Sequence, residues 1–314
     1  MDNAQKKRIL ILSGPTAVGK TEASLELAKK LNGEIINADS MQVYRGMDIG
    51  TAKITPDERA GVPHHLIDIC DPDEDFDVVR FQSEAKRCID DITNRGRIPI
   101  LVGGTGFYIQ AVLYDIDFTS EEPDLTLREE LAAFAREHGE DALHDRLAAI
   151  DPDYAELTHA HNVKRVIRAI EYYEKTGKCL SEHNAEQRQK DSPYESLYVV
   201  LTLPREELYR RIDLRVDQMI DAGLVEEVQS LLDQGVSLSS TSMQGLGYKE
   251  IAAYLNGDCT KEEAIYMLKR DTRHFAKRQL TWYKRERDIF YIEKQNYKDP
   301  QLMIERIVTE FNKR

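Results

Sequence analysis

Residues Gly14-Pro15-Thr16-Ala17-Val18-Gly19-Lys20-Thr21 match G-x-x-x-x-G-K-[ST] at every position. The chemistry this spacing serves is anion binding. Glycines let successive backbone N–H groups curl round a phosphate chain, and a helix starting there adds positive potential. Lys20 neutralises oxygens, and Thr21 presents a hydroxyl suited to Mg²⁺. Nothing in the loop says whose phosphates it holds, because a diphosphate from any source satisfies the same donors as ATP. A second chemical candidate is Asp39, which directly follows the strand-like run Glu34 to Ala38. Three readings stand for it: a metal-holding aspartate as in kinases, a general base acting on an acceptor, or a surface carboxylate without a role.

Such a loop works between a strand and a helix, and the sequence supplies both. Arg8 to Ser13 reads as a strand and Thr21 to Leu31 as a helix; Glu34 to Ala38, His65 to Ile69 and Ile98 to Val102 read as further strands, with Val78 to Thr93 helical between them. Alternation of this kind predicts a parallel sheet, whose ligands lie beyond the carboxyl ends of its strands. Asp39 therefore should face the phosphate loop. From about Thr119 to Pro193 only helical spacing is visible, as in Leu127, Leu131 and Phe134 and in Val163, Val166, Ile167 and Ile170. A strand returns at Leu197 to Leu203, then helices, then Phe290 to Ile292 as a last strand. The predicted class is α/β, with a P-loop NTPase-like parallel core (1–118), a helical insertion (119–195), and a core completion carrying basic C-terminal helices (196–314).

The string Asp39-Ser40-Met41-Gln42-Val43-Tyr44-Arg45-Gly46-Met47-Asp48-Ile49-Gly50-Thr51-Ala52-Lys53 resembles the tRNA adenine isopentenyltransferases, also called tRNA dimethylallyltransferases. The likeness extends over Gly14 to Thr21, Val62 to Asp68 (VPHHLID), Gly103 to Tyr108 (GGTGFY), Asn162 to Glu171 (NVKRVIRAIE), Leu214 to Met219 with Gly223 to Val228, and Gly245 to Glu250. These boxes stand in order over nearly the whole chain. The resemblance implies transfer of a dimethylallyl group from dimethylallyl diphosphate to N6 of adenine 37, beside the anticodon of tRNA, with the phosphate loop holding the donor's diphosphate. It implies Asp39 as base and Arg215 as a second cation on the diphosphate; on residue type alone Arg215 could equally belong to an ion pair on a solvated helix. It places Ser40, Met41, Gln42 and Thr105 on the tRNA, Gln42 before Ser40; Arg128, in the helical insertion, is expected to reach the tRNA only if that domain closes over it. The residues themselves also disfavour a hydrolytic phosphate loop: the run Ile98 to Val102 ends in Gly-Gly-Thr-Gly without an acid, and there is no Asn-Lys-x-Asp motif. A small-molecule or nucleoside kinase is the alternative, and a non-catalytic RNA-binding protein a third reading.

Charge complicates a tRNA partner. With 43 Lys plus Arg against 56 Asp plus Glu, the net charge is −13, which taken whole argues against phosphate polymers. The excess is local: residues 71–160 carry −14, leaving +1 for the remainder. Lys164, Arg165 and Arg168 stand without an acid in 161–170, and 269–287 hold eight cations against two acids. On a helix Lys269, Arg273 and Lys277 recur every four residues, forming either a backbone-tracking face or a solvated one. Trp282 and Tyr283 follow, read as core anchors before stacking platforms. His64 and His65 alternate across a strand and are read as structural. The four cysteines have no C-x-x-C spacing, so free thiols are expected and zinc is not. No run reaches the roughly 18 apolar residues of a membrane helix. A cytoplasmic monomer using Mg²⁺ is the expectation.

Overall fold

The computed structural model describes residues 6–118 and 124–314; the predicted boundary at 118/119 lies at the edge of these. Six parallel strands form one sheet in the order β3-β2-β4-β1-β5-β6. They are β1 (Lys7–Ser13), β2 (Gly33–Asn37), β3 (His64–His65), β4 (Ile98–Val102), β5 (Tyr194–Thr202) and β6 (Ile289–Glu293). Ile9 to Leu12 and Leu197 to Leu201 are buried throughout, the continuous apolar runs of strands covered on both faces. The helices of this unit are α1 (Lys20–Leu31), α2 (Val78–Asn94) and α3 (Gly106–Leu113) before the insertion.

Tyr114–Asp191 forms its own compact unit, and Met1–Leu113 with Ser192–Arg314 forms the other. The divisions fall a few residues before the expected 118/119 and 195/196. The inserted unit holds α4 (Leu125–His138), α5 (Glu140–Ile150), α6 (Pro152–Glu156), α7 (Val163–Thr176) and α8 (Leu180–Gln189) around Leu131, Leu143, Leu147, Val166 and Ile170. Beyond it follow α9 (Arg205–Asp221), α10 (Leu224–Asp233), α11 (Tyr248–Leu255), α12 (Lys261–Tyr283) and α13 (Pro300–Phe311). No helix among the described residues is long and apolar enough to cross a membrane.

One predicted strand is shortened. His65 to Ile69 was expected to be extended, but β3 stops at His65 because Leu66 (φ 60°) and Asp68 (φ 56°) take left-handed backbone that a strand cannot continue. The side chain of Asn37 donates to the Leu66 carbonyl at 3.0 Å and fixes that turn. Both histidines are structural: His64 Nδ1 meets the Val62 carbonyl at 2.8 Å, and His65 Nε2 meets Glu34 at 2.7 Å.

Glu34 is a carboxylate buried within β2, held by Arg95 at 2.9 Å, Arg97 at 3.1 Å and His65. Its hydrogen bonds to Arg95, aided by His65 and opposed by burial, hold the carboxyl at about 2. A depressed carboxylate contributes stability above its unfolded pKa near 4.5, lost as pH falls toward 2. Replacing Glu34 with Gln should therefore cost roughly 2–3 kcal/mol at pH 7, part of the cost of breaking a buried pair because the arginines are half exposed. The difference from wild type should shrink between pH 4.5 and pH 2. Urea unfolding across that range checks this, and a pH-independent difference would refute it.

Candidate active site at the strand ends

Three neighbouring strands deliver three loops to one place. After β1 comes the phosphate loop, in which Ala17 (φ 63°) and Gly19 (φ 89°) take left-handed backbone before α1 begins at Lys20. After β2 comes Asp39, and after β4, which pairs with both, comes Gly103-Gly104-Thr105-Gly106. The β4 loop lies against the β2 end: the Ala38 N–H donates to the Val102 carbonyl at 2.7 Å, and the Thr105 N–H to the Ala38 carbonyl at 3.3 Å. A Cβ on Gly103 would overlap the Ala38 carbonyl, so only glycine permits this approach. Thr105 Oγ1 accepts from the Ser40 N–H at 3.2 Å. The structure thus brings together Gly14 to Thr21, Asp39, Ser40 and Thr105.

Asp39 is half-buried. Its Oδ1 accepts from the Met41 N–H at 2.9 Å, while its other oxygen takes no hydrogen bond among the described residues. Lys20 Nζ donates to the Gly14 and Pro15 carbonyls at 2.8 and 3.0 Å. Burial pushes its ammonium down to about 8; the charge of Asp39 opposes this and that of Arg215 adds to it. Burial likewise lowers the Arg215 guanidinium, again opposed by Asp39. Arg215, on α9, is half-buried and makes no salt bridge among the described residues. Thr21 is exposed at the start of α1. Met41 packs at Gly245, and Gln42 Nε2 donates to the Thr51 carbonyl at 3.1 Å, an oxygen that Arg215 Nη2 also reaches at 3.5 Å.

The basic face of α12 differs from expectation. Lys269 is paired with Asp217 at 2.6 Å and Arg273 with Asp213, both acids on α9. The partners missing at i, i+4 come from a neighbouring helix, which sequence spacing on one helix does not reveal. Lys277 stays exposed, and with His274, Arg278, Thr281, Trp282 and Arg285 it lines one groove. Trp282 is half-buried, its ring against Gly106, and its indole nitrogen is buried without a partner among the described residues. In the inserted unit, Arg128 and Arg168 are bonded to buried Glu171 at 2.8 and 2.9 Å, while Lys164 and Arg165 are exposed.

Sequence reading assigned no role to three residues that build the site. Glu227 accepts the N–H groups of Asp48, Ile49 and Gly50 at 2.9, 2.7 and 3.1 Å, and the Tyr248 hydroxyl at 2.7 Å. Lys53, buried, joins the Tyr44 carbonyl, Asp48 and Asp68. Together they fold the segment from Asp39 to Lys53 on two charged centres. The third is Gln279, buried on α12 and bonded to both loops. Its signal was available: a polar residue in phase with buried Ala276 and Tyr283.

A phosphate loop beside a strand-end aspartate on a parallel sheet defines a P-loop α/β protein with groups suited to transfer chemistry. A family model described as IPP transferase matches residues 42–286, and one described as isopentenyl transferase matches 7–69. A tRNA dimethylallyltransferase of Lachnoclostridium phytofermentans is 58% identical, covering 96% of this chain and 97% of that protein. A crystal structure of a tRNA isopentenylpyrophosphate transferase from Bacillus halodurans is 46% identical, with a TM-score of 0.74 and 98% of each chain covered. A eukaryotic dimethylallyltransferase described as acting on tRNA is 35% identical, with a TM-score of 0.78 over 91% of this chain and 74% of its own. The chain belongs to the tRNA dimethylallyltransferase (IPP transferase) family.

Because the depressed Lys20 binds anions only when protonated, inorganic diphosphate should bind more weakly as pH rises through about 8. Titration calorimetry between pH 6.5 and 9.5 should show this loss in wild type and a flatter profile in Lys20→Arg, whose charge persists. Equal pH dependence in both proteins would refute it.

Proposed function

We propose that this chain transfers a dimethylallyl group from dimethylallyl diphosphate to N6 of the adenine next to the anticodon of tRNA, in the cytoplasm, releasing diphosphate. The observation that carries the reading is the strand-end site where the phosphate loop with Lys20 and the Asp39 and Thr105 loops come together, with Lys20, Asp39 and Arg215 close enough for their charges to act on one another. Prenyl transfer needs a base for an amine and fixed positive charge for a departing diphosphate. Asp39 keeps one carboxylate oxygen open to take the N6 proton as nitrogen attacks C1 of the donor. The C1–O bond breaks and its electron pair leaves with the diphosphate. Lys20, the loop N–H groups and Arg215 stabilise that growing charge, which preorganised donors do best in a water-poor site.

The donor set also suits Mg²⁺. Among the described residues no group of three or more His, Cys, Asp or Glu could hold a metal ion, and Thr21 offers one exposed hydroxyl. In loops of the G-x-x-x-x-G-K-[ST] form the Ser or Thr hydroxyl ligates Mg²⁺ beside the phosphates. When bound it would offset diphosphate charge. The adenine must leave its stack to reach C1, a cost typical of enzymes that modify bases. Ser40, Met41, Gln42 and Thr105 border the place where it would enter, and the groove of Lys277, Arg278 and Arg285 offers cations to the RNA backbone. We assign Lys164 and Arg165 of the inserted unit to the same RNA. Arg128, Arg168, Lys269 and Arg273 contribute mainly through the ion pairs that hold them.

Purified protein with Mg²⁺, labelled dimethylallyl diphosphate and unmodified tRNA should yield prenylated adenosine by nucleoside mass spectrometry. Asp39→Ala should slow this by about 10²- to 10⁴-fold while still binding tRNA. ATP turnover without prenyl-adenosine would favour a kinase and overturn the proposal. Reversing charge at Lys277 and Arg278 together should weaken tRNA binding about tenfold or more near physiological salt, with diphosphate affinity unchanged. The chain's single tryptophan, Trp282, lies in this groove, so its fluorescence should change as tRNA binds. Unaltered tRNA affinity in the double variant would mark the groove as solvated surface only.

A further inference from the structure

We propose that Gln279 is a positioning residue that sets the spacing between the donor-binding loop and the acceptor-side loop. The inference rests on the prenyl-transfer reading. One carboxamide bonds both loops: its Oε1 accepts from the Thr16 N–H at 2.9 Å, and its Nε2 donates to the Gly104 carbonyl at 2.9 Å. Glutamine is 7% exposed here, on the buried stripe of α12, where an apolar residue would pack without polar cost. Both polar ends are satisfied, one by each loop. Gly104 leaves the room: a Cβ there would overlap Gln279 Nε2. One turn further, the Tyr283 hydroxyl meets Ser13 Oγ at 2.8 Å and the Gly14 backbone, and Ser13 Oγ donates to the Gly103 carbonyl at 2.7 Å. Ser13 and Tyr283 tie the first residues of the two loops, Gly14 and Gly103, whereas Gln279 ties them further along, at Thr16 and Gly104.

Reaction between groups held on separate loops depends on their separation, and a shift of about 1 Å can cost about 100-fold in rate. Gln279 touches neither reacting atom; it acts through Thr16 and Gly104. Its hydrogen-bond pattern, acceptor at one end and donor at the other, can be tested by chemistry. Methionine fills the volume with neither bond. Glutamate keeps the acceptor for Thr16 but, ionised, offers no proton to the Gly104 carbonyl; protonated, it restores the full pattern.

Single-turnover prenyl transfer to tRNA should fall about 10- to 100-fold in Gln279→Met, with the melting temperature close to wild type and tRNA affinity within about threefold. Gln279→Glu should be similarly slow at pH 8, and its rate relative to wild type should recover at least about fivefold by pH 5.5, while the Met variant's ratio stays flat. Lys20, Asp39, Tyr283 and Glu286, the ionisable groups associated with the packed elements, are present in both proteins and cancel in that ratio. Should the Met variant lose its cooperative melt, the Glu ratio alone decides. A well-folded Met variant with wild-type rate, or a Glu ratio independent of pH, overturns the proposal. Absence of product from wild type itself overturns the prenyl-transfer reading and this inference with it.

Discussion

Because β4 hydrogen-bonds in parallel between β1 and β2, the loops that follow these strands are neighbours at one end of the sheet. Everything else at the site refines that placement. A parallel sheet directs all its carboxyl ends the same way, so a phosphate loop after one strand and an acid after another must face a common cleft. The strand between them ends in glycines, leaving no side chain to separate the two. Closeness alone does not set geometry, and here polar side chains do: Ser13, Tyr283 and Gln279 join the loops, while half-buried Glu227 and buried Lys53 shape the segment that follows Asp39.

These groups carry a desolvation cost that only complete pairing offsets. Glu227 gathers three successive N–H groups, a nest of the sort that elsewhere binds free anions, here filled by the protein's own carboxylate. Lys20 rests on the phosphate loop's own carbonyls, and burial, opposed by the charge of Asp39, lowers its affinity for a proton.

The sheet was legible because continuous apolar runs such as Ile9 to Leu12 and Ile98 to Val102 are what doubly covered parallel strands require. The phosphate loop was legible because its glycines answer to backbone geometry, which is local. Two kinds of feature escaped. His65 to Ile69 reads as a strand by composition, yet left-handed turns at Leu66 and Asp68, fixed by Asn37 of β2, stop it. Lys269 and Arg273 read as open cations because their acids, Asp217 and Asp213, sit on a helix more than fifty residues away in sequence. Pairing of that kind is set by helix packing, which one helix's periodicity does not encode. Arg215 shows the converse: its spacing leaves an ion pair open, yet no salt bridge holds it among the described residues.

The central claim is that the phosphate loop holds the leaving diphosphate while Asp39 faces the attacking amine. The most direct measurement is a structure of the protein bound to an anticodon stem-loop and dimethylallyl thiolodiphosphate, a donor slow to react. The account predicts diphosphate oxygens on the backbone N–H groups of the phosphate loop, Arg215 turned onto them, and the adenine N6 in hydrogen-bond contact with Asp39. Diphosphate bound elsewhere, or an adenine whose N6 lies away from Asp39 with the donor in place, would contradict it.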